Sequence, residues 1–140
     1  MIKFFVACTP RGKQRARVTH HGTYTPHETV ELERMIGWEC KKAMAGMKPL
    51  EGPVSLDFVA NFVHPKSWPQ KKKDATYWHI VKPDLDNIEK LIKDALKNIA
   101  WIDDCQVSYV QKFKQYDELA GLSIEIDSIA DYNFKPLSGY

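Results

Sequence analysis

The stretch that most constrains this chain is the apolar stripe between Leu85 and Ile99. Leu85, Ile88, Leu91, Ile92, Ala95, Leu96 and Ile99 recur at spacings of three and four residues, which predicts a helix with one buried face. Asp86, Asn87, Glu89, Lys90, Lys93, Asp94 and Lys97 fall off that stripe. A helix of this kind needs a second layer to cover it. Residues 53–63, PVSLDFVANFV, alternate cleanly, with Val54, Leu56, Phe58, Ala60 and Phe62 on one face. That is a strand with an apolar side.

The other elements follow by the same reasoning. Residues 2–8 predict a short strand in which Ile2, Phe4, Val6 and Cys8 share a face. Pro10, Gly12, Gly22 and Pro26 make the next stretch a loop, with a short hairpin around His21-Gly22. Residues 27–47 predict a scaffold helix, capped by Thr25 or Thr29 and ended by Gly46 and Pro49. Ser67 with Gln70 resembles a capping box for a short helix from Trp68 to Ala75. Residues 105–114 predict a strand with Cys105, Val107, Tyr109 and Phe113 on one face, and residues 119–127 a last one. The tail, residues 128–140, lacks periodicity and is expected to be loosely ordered. A chain of 140 residues is one domain by length. The expected fold is α+β: one two-layer domain over residues 1–127, a small mixed sheet with two main helices. The element order is strand, helix, strand, helix, strand, strand.

Charge is segregated, although the net value is only +2. Residues 1–27 hold five Lys or Arg and no acid, and residues 60–83 hold five Lys and one Asp. Such segregation points to basic faces beside an acidic pocket. Arg11, Lys13, Arg15 and Arg17 alternate, so an extended loop would project them on one side as a row matched to phosphates. An ordinary solvated loop would mix acids into such a row. Lys71, Lys72, Lys73 and Lys82 lie among Trp68, Tyr77 and Trp78, the mixture that unstacked nucleic acid uses. The alternative there is a lysine-rich loop whose tryptophans pack on the core. Cys8, Cys40 and Cys105 have neither disulfide nor zinc spacing. With no leader-like or long apolar run, the expectation is a soluble protein of a reducing cytoplasm, with no membrane association.

The chemistry sits on four acids. Asp84 and Asp86 open the 85–99 helix, and Asp103 and Asp104 follow it. Capping explains one Asp of the first pair, and a turn explains the second pair. A metal site is the competing explanation. Carboxylate oxygens suit Mg²⁺, with Mn²⁺ as a substitute. Unneutralised carboxylates 4 Å apart would repel by roughly 4 kcal/mol at an effective dielectric of 20. The helix is about 22 Å long at fifteen residues. The pairs therefore meet only if the chain bends near Ile99-Ala100 and returns beside the helix start, or if the helix is short. Lys90, four residues after Asp86, is either an ion-pair partner or a phosphate-orienting cation.

The run Lys82-Pro83-Asp84-Leu85-Asp86-Asn87, Lys90, Asp94-Ala95-Leu96 and Trp101-Ile102-Asp103-Asp104-Cys105-Gln106-Val107 resembles the signature of the RusA-type Holliday junction resolvases of bacteria and their phages. Gly12 to Arg17 followed by Tyr24-Thr25-Pro26 is similar to that family's basic opening. The resemblance spans most of residues 3–127. It implies a homodimeric, Mg²⁺-dependent endodeoxyribonuclease that nicks four-way DNA junctions. It implies Asp84, Asp86 and Asp104 as metal-binding catalytic acids, Asp103 as their support and Lys90 as an essential lysine. It also implies that the acids meet in space. Ala16 departs from the Pro common there, and the 64–82 insertion is longer and richer in Lys and Trp than in the best-known member. The alternatives are a non-catalytic DNA-binding module and a metal-dependent nuclease for RNA or flap DNA.

Overall fold

A computed structural model describes residues 1–14, 17–24 and 27–129. Its centre is a nine-residue strand, β4 (Val54–Phe62), with neighbours on both sides. The other elements are β1 (Ile2–Ala7), β2 (Arg17–Thr19), β3 (Gly22–Tyr24), α1 (His27–Met44), α2 (Gln70–Ala75), α3 (Leu85–Leu96), β5 (Val107–Tyr116) and β6 (Gly121–Ser128). The main sheet has the order β1-β6-β4-β5, and β2 and β3 form a separate hairpin. β4 pairs antiparallel with β6 and parallel with β5. The sheet is therefore mixed, and the expected α+β class holds.

The parallel β4/β5 pair dictates the placement of everything between them. Parallel neighbours need a crossover, and α3 lies in it. Its stripe is buried as expected, with Ile88, Leu91, Ile92, Ala95 and Leu96 all inside. They join Leu56, Phe58 and Ala60 of β4 and Ile36 and Cys40 of α1 in one core. α1 packs on both α3 and β1. The hairpin expected around His21-Gly22 is present, and Gly22 takes φ 116°, where a side chain would be strained.

Four expectations are corrected. α3 ends at Leu96 rather than Ile99, because Asn98 enters the left-handed region (φ 68°) and its N–H turns to the Trp101 carbonyl, 2.6 Å away. The capping box at Ser67 is not made. Pro69 occupies the cap position without a side-chain cap bond, and Gln70 pairs with Asp74 instead. Thr29 is a buried residue inside α1 rather than its cap, and the other candidate cap, Thr25, lies outside the described residues. The inward face of β5 is also different from the odd-numbered set. Val107 packs on the core as expected, but the register against β4 then shifts between Val54 and Ser55, so Val110 and Tyr116 pack on the core beyond it, and Lys112 and Lys114 share their phase. Of the tail, residues 130–140 lie outside the described residues.

On the sheet face opposite to Leu56 and Phe58, Asp57 stands directly across from Glu125 in the β4/β6 register. One Asp57 oxygen is buried without a hydrogen-bond partner among the described residues. Burial, and then the Glu125 charge, push its carboxyl up. A raised carboxyl contributes stability below its unfolded value of about 3.9 and loses it as pH rises through the folded value. Asp57→Asn is therefore expected to stabilise the fold by about 1 kcal/mol at pH 7, with the gain vanishing below about pH 4. Denaturant titrations at the two pH values check this.

Candidate active site

The basic loop after β1 is pinned onto the two helices. Lys13 donates its backbone N–H to the Asn87 carbonyl at 2.9 Å, in the first turns of α3. Its ammonium reaches Glu33 of α1 at 2.5 Å and Asp94 of α3 at 3.1 Å. Burial alone would lower the Lys13 pKa, but the bonds to both carboxylates outweigh it and hold the ammonium up. Gly12 lies against α3 so closely that an added Cβ would sit 2.8 Å from the Asn87 Cβ and 3.3 Å from the Pro83 Cβ. Thr29 of α1 donates to Gln14 at 3.4 Å. The loop and the start of α3 thereby enclose a cleft of about 410 Å³, lined among others by Arg11, Gln14, Lys82, Asp84 and Asn87.

Asp84 occupies the N-cap position of α3, yet its side chain makes no capping bond. Its own carbonyl accepts the Ile88 N–H, so the helix begins there without using the carboxylate. The capping explanation of this residue fails, and an exposed carboxylate is left facing the cleft at the positive end of a helix. Asp86 is 92% exposed, and Lys112 of β5 meets it at 2.9 Å. Lys112 also reaches Glu89 at 2.6 Å. Burial would lower the Lys112 pKa, but the bonds to Glu89 and Asp86 raise it overall. Glu89 has Lys93 as a second partner at 2.7 Å, and the two lysines hold its carboxyl below the usual range despite burial. Lys114 donates to the carbonyls of Val81 at 2.7 Å and Pro83 at 2.9 Å. Burial depresses its pKa, opposed in part by the charge of Asp84.

Lys112 and Lys114 are the site residues that sequence reasoning missed. Their signal was present: they are in phase with Val110 and Tyr116, not with Tyr109 and Phe113. Lys90 is exposed and makes no ion pair with Asp86, whose cation is Lys112 instead. Arg11 and Lys82 are exposed beside the cleft. Lys13 is spent on Glu33 and Asp94. Arg15 lies outside the described residues, and Arg17 stands in β2 with its side chain outside them. Lys71, Lys72 and Lys73 ride on α2 and do not line the cleft; Lys72 lies 4.1 Å over the Trp68 ring.

Asp103 and Asp104 are placed at the other end of α3. The chain turns after Lys97, which bridges to Trp101. Asp103 caps a short 3-10 helix, Asp104–Gln106, and accepts the Cys105 N–H at 2.9 Å. That backbone bond, then the Cys105 thiol, holds its carboxyl below the usual range. Gln106 returns the cap by accepting the Asp103 N–H at 3.0 Å and donates to the carbonyls of Leu50 and Gly52. Asp103 is thus a structural cap. Asp104 is different: its Oδ1 accepts the indole N–H of the fully buried Trp101 at 2.9 Å, which aims the carboxylate from a fixed base. What β5 brings back beside the helix start is Lys112 and Lys114, not the second acidic pair. Among the described residues, no three His, Cys, Asp or Glu side chains are grouped to hold one metal ion.

Residues 7–127 match the family model described as Endodeoxyribonuclease RusA, and the chain belongs to the RusA family. Over 87 residues it is 33% identical to a Bacillus subtilis (strain 168) protein named "Uncharacterized protein YqaN", a match covering 58% of this chain and 61% of that protein. The chain thus spans about three-fifths of that curated relative's length. The β4 strand, the cleft and both acidic pairs all fall inside the family match. No helix among the described residues is long and apolar enough to cross a membrane.

The indole bond to Asp104 gives a direct test. Trp101→Phe keeps a buried ring but releases the carboxylate. If Asp104 is a catalytic ligand, DNA cleavage falls about tenfold or more, as when the support of such a ligand is lost, while DNA affinity stays unchanged. An unaltered cleavage rate would mean that Asp104 needs no such support.

Proposed function

We propose that this protein is a structure-selective DNA endonuclease that resolves four-way junctions by metal-assisted phosphodiester hydrolysis. The observation that carries the reading is Asp84. An Asp at a helix start normally caps it; this one does not, and it faces a cleft flanked by Arg11 and Lys82. Asp84 and Asp86 present hard oxygen donors near bulk water, which fits a small divalent cation such as Mg²⁺ or Mn²⁺. When bound, such an ion lowers the pKa of a water and offsets charge on the leaving oxygen. The remaining work belongs to the chain. Arg11 and Lys82 draw a phosphate into the cleft, and Lys90, which pairs with no acid among the described residues, stands one turn after Asp86 on α3 to meet it. Lys112 holds Asp86 and Glu89 on one side of the helix, so the free edge of Asp86 points outward.

Asp104 enters through a second copy of the chain. α3 has twelve residues and is about 18 Å long, so the two acidic pairs of one chain stand at opposite ends of it. A two-fold homodimer that sets the start of α3 of one copy against Asp104 of the other would build two equivalent three-carboxylate sites. Two matched sites suit a substrate that needs two symmetric nicks. The family match supports the nuclease chemistry, and the separation of the acids supports the dimer.

A Mg²⁺-dependent cleavage assay on four-way junction, flap, blunt duplex and RNA substrates tests the reading. Paired symmetric nicks in the junction are expected. Asp84→Asn should cut at least 100-fold more slowly and still bind, as expected for loss of a group acting in the transition state. Binding without cleavage of any substrate would make this a DNA-binding module. Preference for RNA or flaps would make it a different nuclease.

A further inference from the structure

We propose that Tyr77 to Lys82 form a ledge that binds unpaired bases of the DNA strand whose backbone reaches Asp84. The inference rests on the nuclease reading above and names what that site holds next to the cut.

The segment is anchored from beneath. His79 is buried, stacked on Phe62 with ring centroids 3.6 Å apart and set edge-on to Tyr116 at 5.2 Å. Tyr116 donates its N–H to the Tyr77 carbonyl at 2.8 Å, and Trp78 bridges to Gln115. Lys114 ties down the carbonyls of Val81 and Pro83. The backbone is therefore held along the end of β5 and runs straight into Asp84.

Anchoring His79 inward turns its neighbours outward. Tyr77 is 53% exposed, Trp78 57%, Ile80 88% and Val81 59%. Trp78 is not a loose ring, since Tyr77 and Phe113 meet it in edge contacts at 4.7 and 6.0 Å. A row of large apolar side chains left open on a fixed backbone marks a binding surface. The chemistry of its occupant follows from the surrounding charge. Lys82 closes the row, and Lys66, Lys71 and Lys72 are exposed on the adjoining insertion, whose Trp68 shares Tyr116 with His79. A seam between protein copies sheds lysine from its centre. Nucleic acid uses cations for phosphates and flat faces for bases. Trp68 is already covered by Lys72 and Tyr116, so Trp78 is the ring with a face to offer.

Bases stacked within a duplex expose only their edges, so the ledge suits bases freed at a branch point. Trp78 lies six positions before Asp84, a span of at most about 21 Å. At about 3.4 Å per stacked nucleotide, the bound bases lie within about six nucleotides of the scissile phosphate.

The test uses the full chain without metal. Trp78→Ala/Ile80→Ala should bind an oligo-dT strand at least tenfold more weakly than wild type, and a blunt duplex within about twofold. Trp78→Phe should retain oligo-dT binding. A 2-aminopurine placed at the branch of a four-way junction should brighten on binding wild type and not the double variant. Equal losses on oligo-dT and duplex, or no loss, would overturn the ledge. So would a double variant that sediments as a monomer where wild type is a dimer, because the row would then be a protein seam. Cleavage of the junction by wild type with Mg²⁺ is scored separately. A chain that cleaves but shows no selective loss refutes the ledge alone. A chain that shows the selective loss without cleaving refutes the nuclease and keeps the ledge.

Discussion

The crossover between two parallel strands governs this protein. Because β4 and β5 run the same way, the chain must pass over the sheet between them, and α3 fills part of that passage. Its direction is then fixed opposite to that of β5. The start of α3 meets Lys112 and Lys114 late in β5, and its end meets the turn that leads into β5. A buried stripe of Ile and Leu holds the helix there, worth roughly 1.5–3 kcal/mol for each large side chain covered. The site inherits its layout from this geometry. Asp84 and Asp86 project from one end, Asp104 is aimed by a buried indole at the other, and one chain keeps them apart.

Electrostatics then sort the cations into two kinds. Lys13, Lys93 and Lys112 are bound to carboxylates and tie the loop, α1, α3 and β5 together. Arg11, Lys82 and Lys90 are exposed near Asp84 and Asp86 and pair with no acid among the described residues, which leaves them to phosphate in the proposed reading. The same residue type is tied into the fold or left exposed according to whether an acid lies within reach. Lys13 illustrates the point: by spacing it belonged to a row of phosphate contacts, but Glu33 and Asp94 claim it.

Much of the fold was legible because it rests on periodicity. The alternation in β4 and the stripe in α3 survive nearly unchanged, since each is decided by one buried face. The end of α3 was misplaced because Ile99 continues the apolar pattern while Asn98 breaks the backbone, and periodicity does not register a left-handed residue. The inward face of β5 was misjudged because a register shift at its start moves the phase. The acids were recognisable as a motif, but spacing along the chain could not tell which ends of α3 meet what. Nor could it separate Asp103, consumed as a cap, from Asp104; that distinction needed the Cys105 N–H and the Trp101 indole in place.

In the proposed dimer, each site draws Asp84 and Asp86 from one copy and Asp104 from another. Mixing two inactive variants measures this directly. Asp84→Asn and Asp104→Asn chains are unfolded together, refolded as a mixture and assayed on a four-way junction with Mg²⁺. A site shared between copies predicts recovered nicking, because each mixed dimer rebuilds one intact site with Asp84 from one variant and Asp104 from the other. A mixture as inactive as either variant alone, with mixed dimers verified, would contradict the shared site.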